Sequence, residues 1–209
     1  MPSKYLAAIV GLVHAAAGGA LLCASAAQAA SVTVRATDLA GHPLADAVVL
    51  IESSAGKVAV KPLADVQIAQ AKKQFDPRVT LVTVGTAVTF PNFDTVRHHV
   101  YSFSPVKTFE LKLYAGVPNT PVVFDKPGVA VLGCNIHDNM AAWVVVADTP
   151  WYARSAAGGV AKVENVPAGA YRLRVWHAAL PPNAEWVTSN LTVGAADLDQ
   201  AVKLPVAAP

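Results

Sequence analysis

The stretch "GVAVLGCNIHDNMAAWVVVA", residues 128–147, sets a β-branched run on each side of a short polar loop. Val, Ile and Trp bounded by Gly, Asn and Asp read as two β-strands joined by that loop. The loop carries Cys134-x2-His137-x2-Met140, a thiol, an imidazole and a thioether. The whole chain has only two cysteines and two methionines, so this crowding is the feature to explain.

Working outward, the other cysteine, Cys23, lies in the opening segment, where Lys4 precedes an apolar run that ends in small residues. Residues 1–30 read as a secretory signal peptide with an A-x-A site at Ala27-Gln28-Ala29. Its removal leaves Cys134 and Met140 as the only sulfur residues of the mature chain, which is expected to be periplasmic with no stable membrane insertion. A single thiol in an oxidising compartment has no disulfide partner within its own chain, so it is buried, reactive or metal-bound. Loss of Lys4 turns 16 basic residues into 15 against 14 acidic ones. That neutrality, without a run of Lys or Arg interleaved with aromatics, excludes nucleic acid as the expected partner.

Beyond residue 30 the pattern is all-β. Short strand-like runs, such as "SVTVRA", "AVVLIES", "VTLVTV", "AVTF", "HVYSF", "TFELKLY" and "EWVTSNLTVG", alternate with Gly, Pro, Asn and Asp. Only "AQAKKQF" (residues 69–75) is open to reading as a helical turn. "VTVRATDLAGHPLADAVVLI" and the later "GGVAKVENVPAGAYRLRVWHA" resemble the two halves of a carboxypeptidase-regulatory-like, or transthyretin-like, β-sandwich, over about 70 residues and mostly through turn chemistry. The resemblance implies a discontinuous outer domain, 31–61 and 149–209, with 62–148 inserted into it.

The insertion carries a second resemblance. Asn92-x5-His98-x-Val100, followed by Gly133-Cys134-x2-His137-x2-Met140, is similar to the type 1 copper motif of the cupredoxins, with a short ligand loop like that of amicyanin. It covers about 85 residues and implies a Greek-key β-sandwich holding one copper ion between a thiolate, two imidazoles and a weak axial thioether. Carried over by position, the ligands are His98, Cys134, His137 and Met140. Strand alternation sends His98 and Val100 to one side and His99 and Tyr101 to the other, which favours His98 while leaving His99 as the alternate. Two positions depart from the family. His99 stands where an asparagine often ties the ligand loops together, and Leu132 stands where an aromatic is common.

Other metals fit less well. Zinc would need Asp138 as a fourth ligand, because a thioether is not a zinc donor. One cysteine cannot bridge a binuclear copper centre, and there is no C-x-x-C-H for haem. No G-x-S-x-G or phosphate-binding glycine loop is present. The expected function is therefore a non-enzymatic single-electron carrier between redox proteins such as a dehydrogenase or a cytochrome, with methylamine utilization as one setting. Two alternatives remain open: a copper-binding, delivery or structural module, and a copper enzyme in which Glu110 or water replaces Met140. His42 is expected to be solvated and His177 structural; the four tryptophans are assigned to core or interface.

Overall fold

The computed structural model describes residues 29–118, 120–182 and 184–206. The proposed signal segment falls almost wholly outside them. Every regular element in the described residues is a β-strand, and no helix among them is long and apolar enough to cross a membrane.

The chain begins with β1 (Ala29–Thr37) and β2 (Val48–Ser53). It continues through β3 (Val66–Gln67), β4 (Ala69–Ala71), β5 (Gln74–Asp76), β6 (Val79–Thr83) and β7 (Thr86–Thr89). Then follow β8 (His98–Ser104), β9 (Lys107–Tyr114), β10 (Val122–Phe124), β11 (Gly128–Cys134) and β12 (Ala141–Ala147). The last group is β13 (Trp151–Arg154), β14 (Val160–Pro167), β15 (Gly169–Trp176), β16 (Val187–Val193) and β17 (Leu198–Lys203).

The first two strands and the last five form two sheets, ordered β14-β1-β17 and β13-β2-β15-β16. In β1, Val32, Val34 and Ala36 face a core while Thr33 and Arg35 face out, as a strand period of two requires. That core also takes Ile51, Leu173, Val175 and Leu191.

The intervening strands form a five-stranded sheet, β6-β12-β11-β8-β9, a smaller sheet, β10-β7-β3, and the hairpin β4-β5. Their core gathers Ile68, Val88, Phe90, Val100, Phe124, Ala130, Leu132, Cys134, Met140 and Val144. "AKKQ" is thus a hairpin and not a helical turn. Lys72 and Lys73 both have positive φ, 54° and 57°, the conformation a two-residue hairpin turn demands.

Strand β12 joins the two cores. Its Ala142, Val144 and Val146 belong to the inner core, while Val145 and Ala147 belong to the outer one. A strand covered on both faces reads as a continuous apolar run, which explains "AAWVVVA". Trp143, Leu81 and Val129 also pack against the outer core. Arg154 Nη1 of β13 donates to the Val79 carbonyl of β6 at 3.0 Å across the same seam.

Candidate metal centre

Strands β8 and β11 lie side by side, with Val100 opposite Cys134 and Tyr101 opposite Gly133. The end of β11 therefore brings Cys134 beside the start of β8, where His98 is fully buried. Cys134 Sγ lies 3.8 Å from His98 Nδ1. The loop after β11 turns back so that the His137 ring stands 5.0 Å from that of His98, at an interplanar angle of 61°. One ligand atom from each of His98, Cys134 and His137 falls within 4.8 Å of the others. Met140, whose N–H donates to the His137 carbonyl at 3.0 Å, is buried and lines the same groove as Cys134.

His99 and Glu110, the alternate positions, stand outside this cluster. Glu110 Oε1 is 2.9 Å from His99 Nε2, though not aligned with the ring N–H for a hydrogen bond. His99 Nδ1 lies 3.1 Å from Nδ2 of Asn135, the residue after Cys134. The departure at His99 thus leaves the tie between the two loops in place, with the imidazole on β8 and the amide on the loop. Leu132 is buried in the inner core. The ring near the cysteine comes instead from the neighbouring strand: Tyr101 lies over Gly133 so closely that a Cβ there would meet its ring and hydroxyl at 2.7 Å.

Sequence reasoning missed Asp94, because "NFDTV" reads as an ordinary turn. Its Oδ2 is 2.8 Å from His98 Nε2. The same carboxylate accepts the N–H groups of Lys72 at 2.7 Å and Lys73 at 2.9 Å, so it clamps the β4-β5 turn to the buried imidazole. Burial pushes the Asp94 carboxyl up, but the hydrogen bonds from Lys73, His98 and Lys72 outweigh it and hold the group below the usual carboxylate range. A carboxylate at Nε2 keeps the proton there and leaves the Nδ1 lone pair facing Cys134. Asn92 shapes this loop: its side chain donates to the carbonyls of Val96 and Tyr114 and accepts the Asp94 N–H.

Below the site, buried Gln70 donates to the Phe90 carbonyl and the Tyr114 hydroxyl, and that hydroxyl donates to Phe90 at 2.7 Å. Burial pushes the Tyr114 phenol up to about 12 despite the hydrogen bond from Gln70. The other histidines among the described residues sit elsewhere. His42 is an exposed partner of Asp38, and His177 Nε2 meets the Ala45 carbonyl at 3.0 Å.

The donors fit a copper ion by an observation independent of the motif. His137 Nδ1 is buried with no hydrogen-bond partner, a state that costs roughly 1–3 kcal/mol unless something coordinates or hydrates the ring. One thiol, two imidazoles and a buried thioether make a soft donor set suited to type 1 copper.

No protein-family profile and no curated protein matches the chain. Among solved structures it is similar to a purple cupredoxin from Nitrosopumilus maritimus, at 24% identity over 40% of this chain and 100% of that one, with a TM-score of 0.36. It is also similar to a reduced Cu(I) form of an amicyanin variant, at 22% identity over 47% of this chain and 98% of that one, TM-score 0.37. A third is the copper-containing nitrite reductase of Thermus scotoductus SA-01, at 25% identity over 55% of this chain but only 28% of the reductase, TM-score 0.38. The donor geometry carries the chemistry.

Proposed function

We propose that this protein is a periplasmic single-electron carrier that holds one type 1 copper ion through His98, Cys134, His137 and Met140. The observation that carries the reading is the convergence of three donor atoms within 4.8 Å, with Cys134 and His98 buried. When bound, copper supplies a one-electron couple between Cu(II) and Cu(I). Cys134 would contribute a thiolate, His98 and His137 imidazole nitrogens, and Met140 a thioether sulfur. Asp94 holds His98 in the required tautomer, and Cys134 and Met140 are buried against the inner core. Donors preset by packing reorganise little when charge changes, and that suits electron transfer. The partners are other redox proteins, such as a dehydrogenase or a cytochrome.

The test is optical. Cu(II) added to the purified protein is expected to give an intense visible thiolate-to-copper band that Cys134→Ser abolishes without unfolding the chain. The spectrum is expected to ignore azide, and voltammetry to show a reversible one-electron wave. A colourless Cu(II) complex rejects type 1 copper. An azide-induced shift indicates an open coordination position and favours an enzyme, with the shallow groove beside Cys134, Asp138 and Met140 as its approach.

A further inference from the structure

The loop that clamps His98 also gathers positive charge that is dispersed in the sequence. Lys72 and Lys73 form the β4-β5 turn, and their N–H groups sit on Asp94. Arg97 is three residues beyond Asp94 and one before His98. All three side chains are exposed, and between them Phe93 is 69% exposed, its N–H fixed to the Gln70 carbonyl at 2.8 Å. Several cations elsewhere are paired, Arg35 with Asp199, Arg154 with Asp46, and Arg172 and Arg174 with Glu52. Lys61, Lys126 and Lys203, unpaired among the described residues, stand apart from one another along the chain. Lys72, Lys73 and Arg97 enter no ion pair among the described residues. Asp94, whose carboxylate meets the turn they flank, accepts two backbone amides and lies 2.8 Å from the His98 imidazole.

We infer that Lys72, Lys73 and Arg97, set around Phe93, form the docking surface for an acidic face of a protein redox partner. Three unpaired cations around the single carboxylate of Asp94 leave a local excess of positive charge on a nearly neutral molecule that steers an anionic surface to this end, and an exposed aromatic gives a short-range apolar contact once it arrives. The location suits electron exchange. Two hydrogen bonds, turn amide to Asp94 and Asp94 to His98 Nε2, link the docked surface to the proposed metal ligand. The inference rests on the electron-carrier reading for its purpose, but not for the charge pattern.

Two titrants applied to the full, metal-free chain test the surface without copper. The first is hexacyanochromate(III), a redox-inert paramagnetic trianion; the second is a poly-glutamate peptide. Both are expected to perturb the amide NMR signals of Lys72, Lys73, Phe93 and Arg97 selectively, and raised salt or Lys72→Glu with Lys73→Glu is expected to remove the effect. Arg97→Glu gives the same test in a second background if the turn variant does not fold. Equal perturbation at Lys61, Lys126 and Lys203, or a response confined to the loop around Ile136 and His137, overturns the assignment. A response to the trianion alone marks a small-anion site and overturns the protein-docking proposal. In the copper-loaded protein, the turn variant is expected to slow reduction by ferrocyanide about tenfold while leaving reduction by neutral hydroquinone unchanged. If neither donor reduces the metal, the carrier reading fails while the NMR result still decides the surface.

Discussion

Asp94 decides which nitrogen of His98 faces Cys134, and it does so without touching Cys134 itself. Removing its carboxylate leaves a buried imidazole free to place its proton on either nitrogen, so part of the population would present N–H to the metal. Such orienting partners typically contribute 10–100-fold in metal affinity. Asp94→Ala is therefore expected to weaken copper binding by about that factor, measured by competition with a chromophoric chelator, while His99→Ala changes it far less. Equal losses would mean that His99 also faces the ion. Strand alternation places His98 and His99 on opposite sides of β8 as an expectation, although the register of β8 against β9 shifts between His98 and Val100 and both rings are buried. Asp94 was not readable, because its role depends on the β4-β5 turn, more than twenty residues earlier, meeting it in space. Tyr101 escaped for the same reason: its proximity to the cysteine comes from register between β8 and β11, and no spacing along the chain encodes that.

At the level of elements, the β4-β5 hairpin hides its turn. Two-residue turns with positive φ favour Asn-Gly, and Lys-Lys gives no such signal, since β-carbon crowding disfavours this conformation. Asp94 compensates by accepting both turn amides. Replacing Lys72 by Asn and Lys73 by Gly keeps those amides and relieves the strain, so we expect a gain of about 1 kcal/mol in urea unfolding. The same change deletes two charges of the proposed docking surface, so stability and anion response should move in opposite directions. The strands of the long sheets, by contrast, were readable where β-branched residues alternate or run together, as in β1 and β12. Strand β13 was not: "WYAR" acquires its identity from pairing with β2. Beside it, β2 and β15 are linked by Glu52, which meets both Arg172 and Arg174. Burial pushes the Glu52 carboxyl up, but hydrogen bonds from Arg174 and Arg172 pull it further down, so its folded pKa lies below the unfolded value. A depressed carboxyl stabilises the fold above the unfolded pKa, about 4.3, and loses that contribution as pH falls through the folded value. Glu52→Gln is expected to cost about 1–2 kcal/mol at neutral pH. The difference from the unmutated protein should shrink below about pH 4; a difference constant with pH would show that packing, not charge, accounts for the loss.

For the molecule as a whole, strand β12 gives side chains to both cores, and we expect it to couple their unfolding. Trp176 is buried in the outer core, and Trp143, Trp151 and Trp186 pack against it, so tryptophan fluorescence reports chiefly on that core. Cys134 and Met140 belong to the inner core, so the visible copper band reports on the other. A ligand that binds only the folded state stabilises by about 4 kcal/mol at a thousandfold excess over its Kd. For a chain of this size each kcal/mol moves Tm by about 2–4 °C, so the total shift should be on the order of ten degrees. If Val145 and Ala147 transmit the constraint through β12, copper loading raises the tryptophan-detected midpoint to the temperature at which the copper band is lost, and the two transitions coincide. If the cores unfold separately, the band melts at the higher temperature while tryptophan fluorescence changes where it did without metal. We expect coincidence. A strand whose alternate residues belong to different cores cannot leave one of them without exposing apolar side chains of the other, and each buried methylene so exposed costs about 0.8 kcal/mol.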